Sequence, residues 1–135
     1  MKDSTDEFSF VVKPSSIPKA GVGVFATHDI KAGTRLAMNK EGGDSRVMDD
    51  KDIPEDLKHF GVVIEGGKRK VPKEFNHLWL VWFLNHSDDP NIELRMPENN
   101  YYSIKDIFRG DELLTDYNKF AEPPEAKEAY YADPS

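Results

Sequence analysis

Residues 85–91 read Asn85-His86-Ser87-Asp88-Asp89-Pro90-Asn91, and residues 106–117 read Asp106-Ile107-Phe108-Arg109-Gly110-Asp111-Glu112-Leu113-Leu114-Thr115-Asp116-Tyr117. The first cluster gathers amides, an imidazole and a hydroxyl just after an aromatic run, groups that can tie loops together and present backbone atoms to a small molecule. Other readings compete. Asn85-His86-Ser87 matches a glycosylation sequon, but no signal peptide is read ahead of it. His86 with Asp88 and Asp89 has metal-ligand chemistry, yet one histidine and two loop carboxylates without a helix-spaced partner make poor ligand geometry, so no metal is expected. An Asx-type loop before Pro90 is the plainest alternative. The second stretch is a turn and a strand ending in Asp-Tyr, and a strand-terminal tyrosine is more often a packing residue than a catalyst.

Upstream, Lys19-Ala20-Gly21-Val22-Gly23-Val24-Phe25-Ala26 holds two glycines around one residue, which lets the backbone come close to a ligand. A tight turn between strands accounts for a lone G-x-G equally well. The missing third glycine and strand-to-helix context exclude a dinucleotide fingerprint.

Around these stretches the pattern predicts short strands over residues 8–13, 22–26, 34–37, 91–95, 101–107 and 113–115, punctuated by Gly and Pro. One or two helical turns are expected over residues 55–60, ended by Gly61, and a β-hairpin around Gly66-Gly67. Residues 39–52 read as polar and turn-rich. Phe75, Leu78, Trp79, Val81 and Trp82 recur at spacings of three and four, predicting a buried helix over residues 74–84. No internal repeat, low-complexity block or linker is read.

Composition bounds the rest. A chain of 135 residues suits one domain spanning 1–135, and its eight Phe, five Tyr and two Trp suffice for a core. With no cysteine there are no disulfides, thiolate zinc sites or cysteine nucleophiles. The longest apolar stretch, residues 78–84, is far too short to span a bilayer, so no membrane association is expected. The expected location is cytoplasmic, with secretion as an effector left open. A formal charge of −7 repels nucleic acid and favours a basic protein partner, although acidic balance also serves solubility.

Taken together, G-x-G-V-F-A with D-I-x-x-G, then N-H-S-x-x-P-N, then D-I-x-x-G-D-E-L-x-x-D-Y resemble the SET domain over about residues 9–120, most like its compact bacterial and viral members. The resemblance implies a mostly β fold with short helices, β-clip-like, whose C-terminal segment forms a pseudoknot, with a target-reading insert at about residues 38–75 and a tail at 121–135. It further implies S-adenosylmethionine-dependent methyl transfer to a lysine of a protein substrate, with basic proteins the expected class. Tyr117 carries over as the active-site tyrosine, the backbone of Ala20, Gly21, Val22 and Gly23 as the seat of the methionine end of the cofactor, and Asn85 and His86 as further cofactor contacts. Phe120 or the tail tyrosines Tyr130 and Tyr131 are the aromatics expected to cover cofactor or substrate. Tyr101, Tyr102 and Phe108 are candidates to line the lysine channel, as is Thr115, which stands where many members have Tyr or Phe, so the number of methyl groups added is unreadable. A catalytically silent module that binds peptide or cofactor is the alternative. A non-enzymatic β-clip binding module would need neither N-H-S-x-x-P-N nor the terminal Asp-Tyr.

Overall fold

The structure is a computed structural model and describes residues 4–39, 45–96 and 98–117. Ten short strands carry it: β1 (Phe10–Pro14), β2 (Val22–Ala26), β3 (Arg35–Leu36), β4 (Ser45–Asp49), β5 (Val62–Ile64), β6 (Lys68–Pro72), β7 (Asn85–His86), β8 (Ile92–Arg95), β9 (Asn100–Ser103) and β10 (Leu114–Thr115). They form four small sheets, ordered β1-β2, β3-β9-β8, β4-β6-β5 and β10-β7.

The centre of the fold is a near-twofold arrangement of the two Asp-Ile-x-x-Gly segments. Ile30 and Ile107 exchange both backbone hydrogen bonds, at 2.7 and 2.8 Å. The Ala32 amide donates to Asp106 Oδ1 at 3.0 Å, and the Arg109 amide donates to Asp29 Oδ1 at 2.9 Å. Gly33 and Gly110, at φ of 88° and 91°, turn the chain left-handed, a conformation costly for a side-chain-bearing residue. Gly33 N–H then meets Ser103 O, and Gly110 N–H meets Ala26 O. The same relation continues outward: Arg35 lies opposite Tyr102 and Leu36 opposite Tyr101, while Glu112 lies opposite Phe25 and Leu113 N–H donates to Val24 O. Each half thus completes its sheet with a segment from the other half. The two segments share five residues with two variable positions, too few to make a period, and their equivalence lies in these matched hydrogen bonds.

Equivalent positions share one fate in the core. Val24, Ala26, Ile30 and Leu36 from the first half pack with Tyr101, Ile107 and Leu113 from the second, joined by Met38, Leu84 and Ile92. Because the two aspartates perform the same reciprocal task, Asp29→Ala and Asp106→Ala are expected to destabilise alike, by about 1 kcal/mol each. Urea midpoints of the two variants that differ by more than their error would contradict this equivalence.

The insert sheet differs from expectation on one side. Gly66 and Gly67, at φ of 81° and 70°, make the expected hairpin of β5 and β6. Residues 45–49, read as turn-rich, instead form β4 against β6, with Asp49 facing Lys68 at 3.4 Å. The expected turns at Glu55–Phe60 are present, wound as a 3₁₀ helix. The helix expected over residues 74–84 shrinks to one 3₁₀ turn, Leu80–Phe83. A segment that short has little intrinsic helical stability, and its backbone is recruited elsewhere: Val81 N–H donates to Met38 O.

Candidate active site

The site lies where β7 and β10 run side by side in parallel, Leu114 opposite Asn85 and Thr115 opposite His86. Parallel pairing of a C-terminal strand with an earlier one, while residues just before it lie on β2, is what the expected pseudoknot requires. Asn91 fastens the junction with its side chain, accepting from Leu114 N–H at 2.8 Å and donating to Glu112 O at 2.9 Å. The motif Asn85-His86-Ser87-x-x-Pro90-Asn91 is therefore a clasp for the last strand as well as a source of polar groups.

Tyr117 follows β10 and is held at three points. Its amide donates to His86 Nδ1 at 3.0 Å, its ring lies 5.9 Å from the His86 ring at a 44° tilt, and its hydroxyl donates to Leu84 O. Since His86 Nδ1 accepts, Nε2 bears the proton in the neutral ring and donates to Asp88 Oδ1 at 2.9 Å. His86 is 4% exposed, so this tautomer is fixed from both sides. Asp116 Oδ1 stands 3.6 Å from Nδ1. His86, Asp88 and Asp116 thus cluster closely enough to suggest a cation, but the two carboxylates address opposite ring nitrogens and Nδ1 is engaged by the Tyr117 amide.

Asn85 donates both amide hydrogens, to Val22 O at 2.9 Å and to Glu112 Oε2 at 3.0 Å. It thereby joins the Ala20–Gly23 turn to the end of the molecule that carries Tyr117. Within that turn the two glycines serve different ends. Gly21 has φ of 75° and nothing within 4 Å of where a Cβ would stand, so the turn keeps open space on its outer side. Gly23 is close to no void: a Cβ there would lie 2.2 Å from Glu112 Oε2 and 3.1 Å from Asn85 Nδ2. The space expected to admit a ligand at Gly23 is filled by a carboxylate of the chain itself.

Glu112 is the residue that sequence reading passed over. It is 7% exposed and accepts from Ser15 Oγ, Ser16 N–H, Ser16 Oγ and Asn85 Nδ2 at 2.7 to 3.0 Å. Its signal in the sequence is a glutamate inside the Gly110-Asp111-Glu112-Leu113 motif, directly before the apolar Leu113-Leu114. Burial pushes its carboxyl up, but the hydrogen bonds from Asn85, Ser16 and Ser15 outweigh burial and hold it below its ordinary 4.5. A carboxyl with a lower pKa folded than unfolded stabilises the fold above the unfolded value and loses that contribution as pH falls through the folded one. Below pH 4.5 the stability of the wild type is expected to drop more steeply than that of Glu112→Gln, in urea titrations at stepped pH. Parallel curves would show that the carboxylate makes no such contribution.

The channel candidates separate. Tyr101 and Tyr102 are successive on β9 and so face opposite sides of the sheet. Tyr101 is 5% exposed and hydrogen-bonded to Thr115, which itself pairs with His86. Burial raises the Tyr101 phenol far above its ordinary range, only partly offset by Thr115, so it stays protonated. Tyr102 lies under the Arg95 guanidinium, 4.5 Å from ring centre. Phe108 is 58% exposed on the second Asp-Ile-x-x-Gly turn, where its amide donates to Asp111 Oδ2 and the next, of Arg109, to Asp29 Oδ1 on the first turn. Of the four candidates the structure thus gathers Tyr101 and Thr115 beside the site and sets Tyr102 and Phe108 on other faces. Phe120, Tyr130 and Tyr131 lie outside the described residues.

Interlocked β halves, β10 clasped beside Asn85-His86 and a tyrosine bound to His86 and Leu84 are the features of a SET-like fold. The sequence pattern of the SET domain matches residues 21–118, and the chain belongs to that family. Among solved structures it is similar to a Plasmodium falciparum protein described as a histone methyltransferase, with a TM-score of 0.54 and 22% identity, covering 83% of this chain and 95% of that one. It is also similar to Polycomb Repressive Complex 2 of Chaetomium thermophilum. A form bound to S-adenosylmethionine gives a TM-score of 0.56 at 21% identity over 84% of this chain, and a humanized, inhibitor-bound form gives 0.57 at 22% over 82%. The chain spans only 16% and 15% of those two chains. No curated protein matches it in sequence.

Proposed function

We propose that this protein transfers a methyl group from S-adenosylmethionine to the side-chain amine of a lysine in a protein substrate, with Tyr117 at the reacting centre. The observation that carries the proposal is the fixing of the Tyr117 hydroxyl on Leu84 O, one residue before Asn85-His86, where Asn85 in turn holds Val22 of the glycine turn. Membership of the SET family and the S-adenosylmethionine-bound neighbour support the cofactor.

The residues present suit that cofactor. The turn at Gly21 leaves open space, and Asn85 and His86 are already oriented by partners on their far sides. Ala20 to Gly23 would hold the methionine end, with Asn85 beside it and His86 toward the adenine. When bound, the cofactor supplies an electrophilic methyl group on a sulfonium.

The chain's own part is geometric and electrostatic. Displacement at a methyl group spreads positive charge, which a fixed hydroxyl oxygen and a backbone carbonyl favour without moving. Tyr117 and Leu84 O provide that pair. The acceptor lysine must lose a proton, and bringing a pKa near 10.4 to neutrality corresponds to roughly 4 to 5 kcal/mol. An apolar, aromatic surround disfavours the ammonium by desolvation, a role that suits Tyr101 at the neighbouring position. A net charge of −7 supports a basic, lysine-bearing partner.

The test is a calorimetric titration with S-adenosylmethionine, then radiolabelled transfer to a lysine-rich protein mixture with hydrolysis and amino-acid analysis. Label recovered as methyl-lysine supports the proposal. Binding without transfer would indicate a silent module, and label on another residue would move the specificity elsewhere.

A further inference from the structure

We propose that Glu112 is a positioning residue for the cofactor turn, setting its affinity for S-adenosylmethionine through Ser15, Ser16 and Asn85. The proposal rests on the methyl-transfer reading and goes beyond it by assigning a role to a group that touches neither reacting atom. Glu112 sits on the segment that pairs with β2, opposite Phe25, and its carboxylate reaches under Gly23. Oε1 takes Ser16 N–H at 3.0 Å and Ser16 Oγ at 2.7 Å, while Oε2 takes Ser15 Oγ at 2.8 Å and Asn85 Nδ2 at 3.0 Å.

These partners come from two separate parts of the site. Ser15 and Ser16 open the loop that returns at Gly21, since Ser15 N–H donates to Gly21 O at 2.8 Å and Ala20 N–H donates to Ile17 O. Asn85 begins the strand that ends at His86 and spends its other hydrogen on Val22 O. One carboxylate therefore holds the loop at its entry, the glycine turn at its exit and the asparagine behind both. Every group that donates to it is neutral, so a carboxylate is wanted there for its acceptor capacity. Four oxygen lone-pair directions match converging donors, which an amide of the same shape cannot do because its NH₂ would face donors.

A purely structural role predicts a different outcome from a positioning one. Loss of packing lowers the folded fraction and reduces kcat and KM-independent activity together, whereas a loosened turn raises KM and leaves turnover at saturation intact. Glu112→Gln keeps volume and core contact, and Ser15→Ala with Ser16→Ala removes the loop donors without touching the core. Both are expected to raise KM for S-adenosylmethionine about tenfold or more, with kcat within about threefold of wild type, the loss corresponding to hydrogen bonds to a charged group. Amide exchange of residues 15–23, measured without cofactor, should quicken in both variants because Ser16 N–H loses its acceptor or its ordered loop. Unchanged KM in folded Glu112→Gln, or slow exchange at Ser16 in that variant, overturns the assignment. Failure of the underlying reading is distinguishable, because it appears in the wild type as absence of S-adenosylmethionine binding while the exchange comparison still reports on the loop.

Discussion

Tyr117→Phe is expected to lower methyl transfer by about 10²- to 10³-fold, the range seen when one fixed polar group is removed from a transition-state site. The substitution deletes only the hydroxyl. The ring keeps its place against His86 and the amide keeps its bond to Nδ1, so the bond between Asn85 and the glycine turn stays in place. S-adenosylmethionine affinity by calorimetry is therefore expected within about threefold of wild type, and the unpaired Leu84 carbonyl to cost about 1 kcal/mol of stability. The separation of the two readouts is the point: an enzyme that binds normally and turns over poorly has lost an interaction made during reaction. Transfer at wild-type rates would remove Tyr117 from the reacting centre.

Among the described glycines, Gly23→Ala is expected to be the most destabilising change to alanine, at about 3 kcal/mol and a fall in Tm of about 10 °C. The added carbon would meet Glu112 Oε2 at 2.2 Å and Cδ at 2.9 Å, and the carboxylate cannot retreat without abandoning Ser15, Ser16 and Asn85. Gly21→Ala makes the contrast. Its Cβ meets nothing, so only the left-handed backbone at φ of 75° resists it, at about 1 to 2 kcal/mol. Shortening the acid should relieve the first clash and not the second, so Glu112→Ala combined with Gly23→Ala is expected to be less harmful than the separate effects summed, by about 1 kcal/mol or more. Equal melting shifts for the two glycine variants, or strict additivity with Glu112→Ala, would mean that the carboxylate does not occupy this space.

The pair of glycines shows what a sequence discloses and what it withholds. That the backbone between Lys19 and Ala26 needed two residues without side chains was plain, and strand β2 falls on the residues read for it. What stood against Gly23 was not plain, because the obstructing group lies almost ninety positions along the chain and only folding brings it near. The hairpin at Gly66-Gly67 was readable for the opposite reason: turn chemistry is local, and positive φ at two successive glycines needs no distant partner. Residues 74–84 misled through the same locality. Their three-and-four spacing is real, but the expected burial is reached at Leu84 alone: Leu80, Val81 and Phe83 pack against the core half-buried, and one 3₁₀ turn suffices to place them. β4 escaped notice because its strand character comes from facing Lys68, Arg69 and Lys70 across the sheet and not from its own polar residues. Tyr117, Asn85 and His86 are legible as a set since the family pattern fixes their order, while Asn91 and Glu112 stand in the same motifs without a role until their hydrogen bonds supply one.

The exchange of segments between the two halves also sets how the chain must acquire its shape. The bonds that Asp106 makes to Ala32 and Asp29 makes to Arg109 span 74 and 80 positions, and Glu112 reaches Ser16 across 96. The sheets β1-β2 and β4-β6-β5 pair from nearby residues, but β3 and the first Asp-Ile-x-x-Gly turn find their partners only when the second such segment and β9 arrive. Loop closure over such lengths precedes the contacts that join the two halves, which places the molecule among slow folders for its size. A nascent chain emerging from the ribosome would carry Ile30, Leu36 and the first Asp-Ile-x-x-Gly turn without their partners until β9 and Ile107 are made, so chaperone demand during synthesis follows from the same interlocking that joins the finished halves.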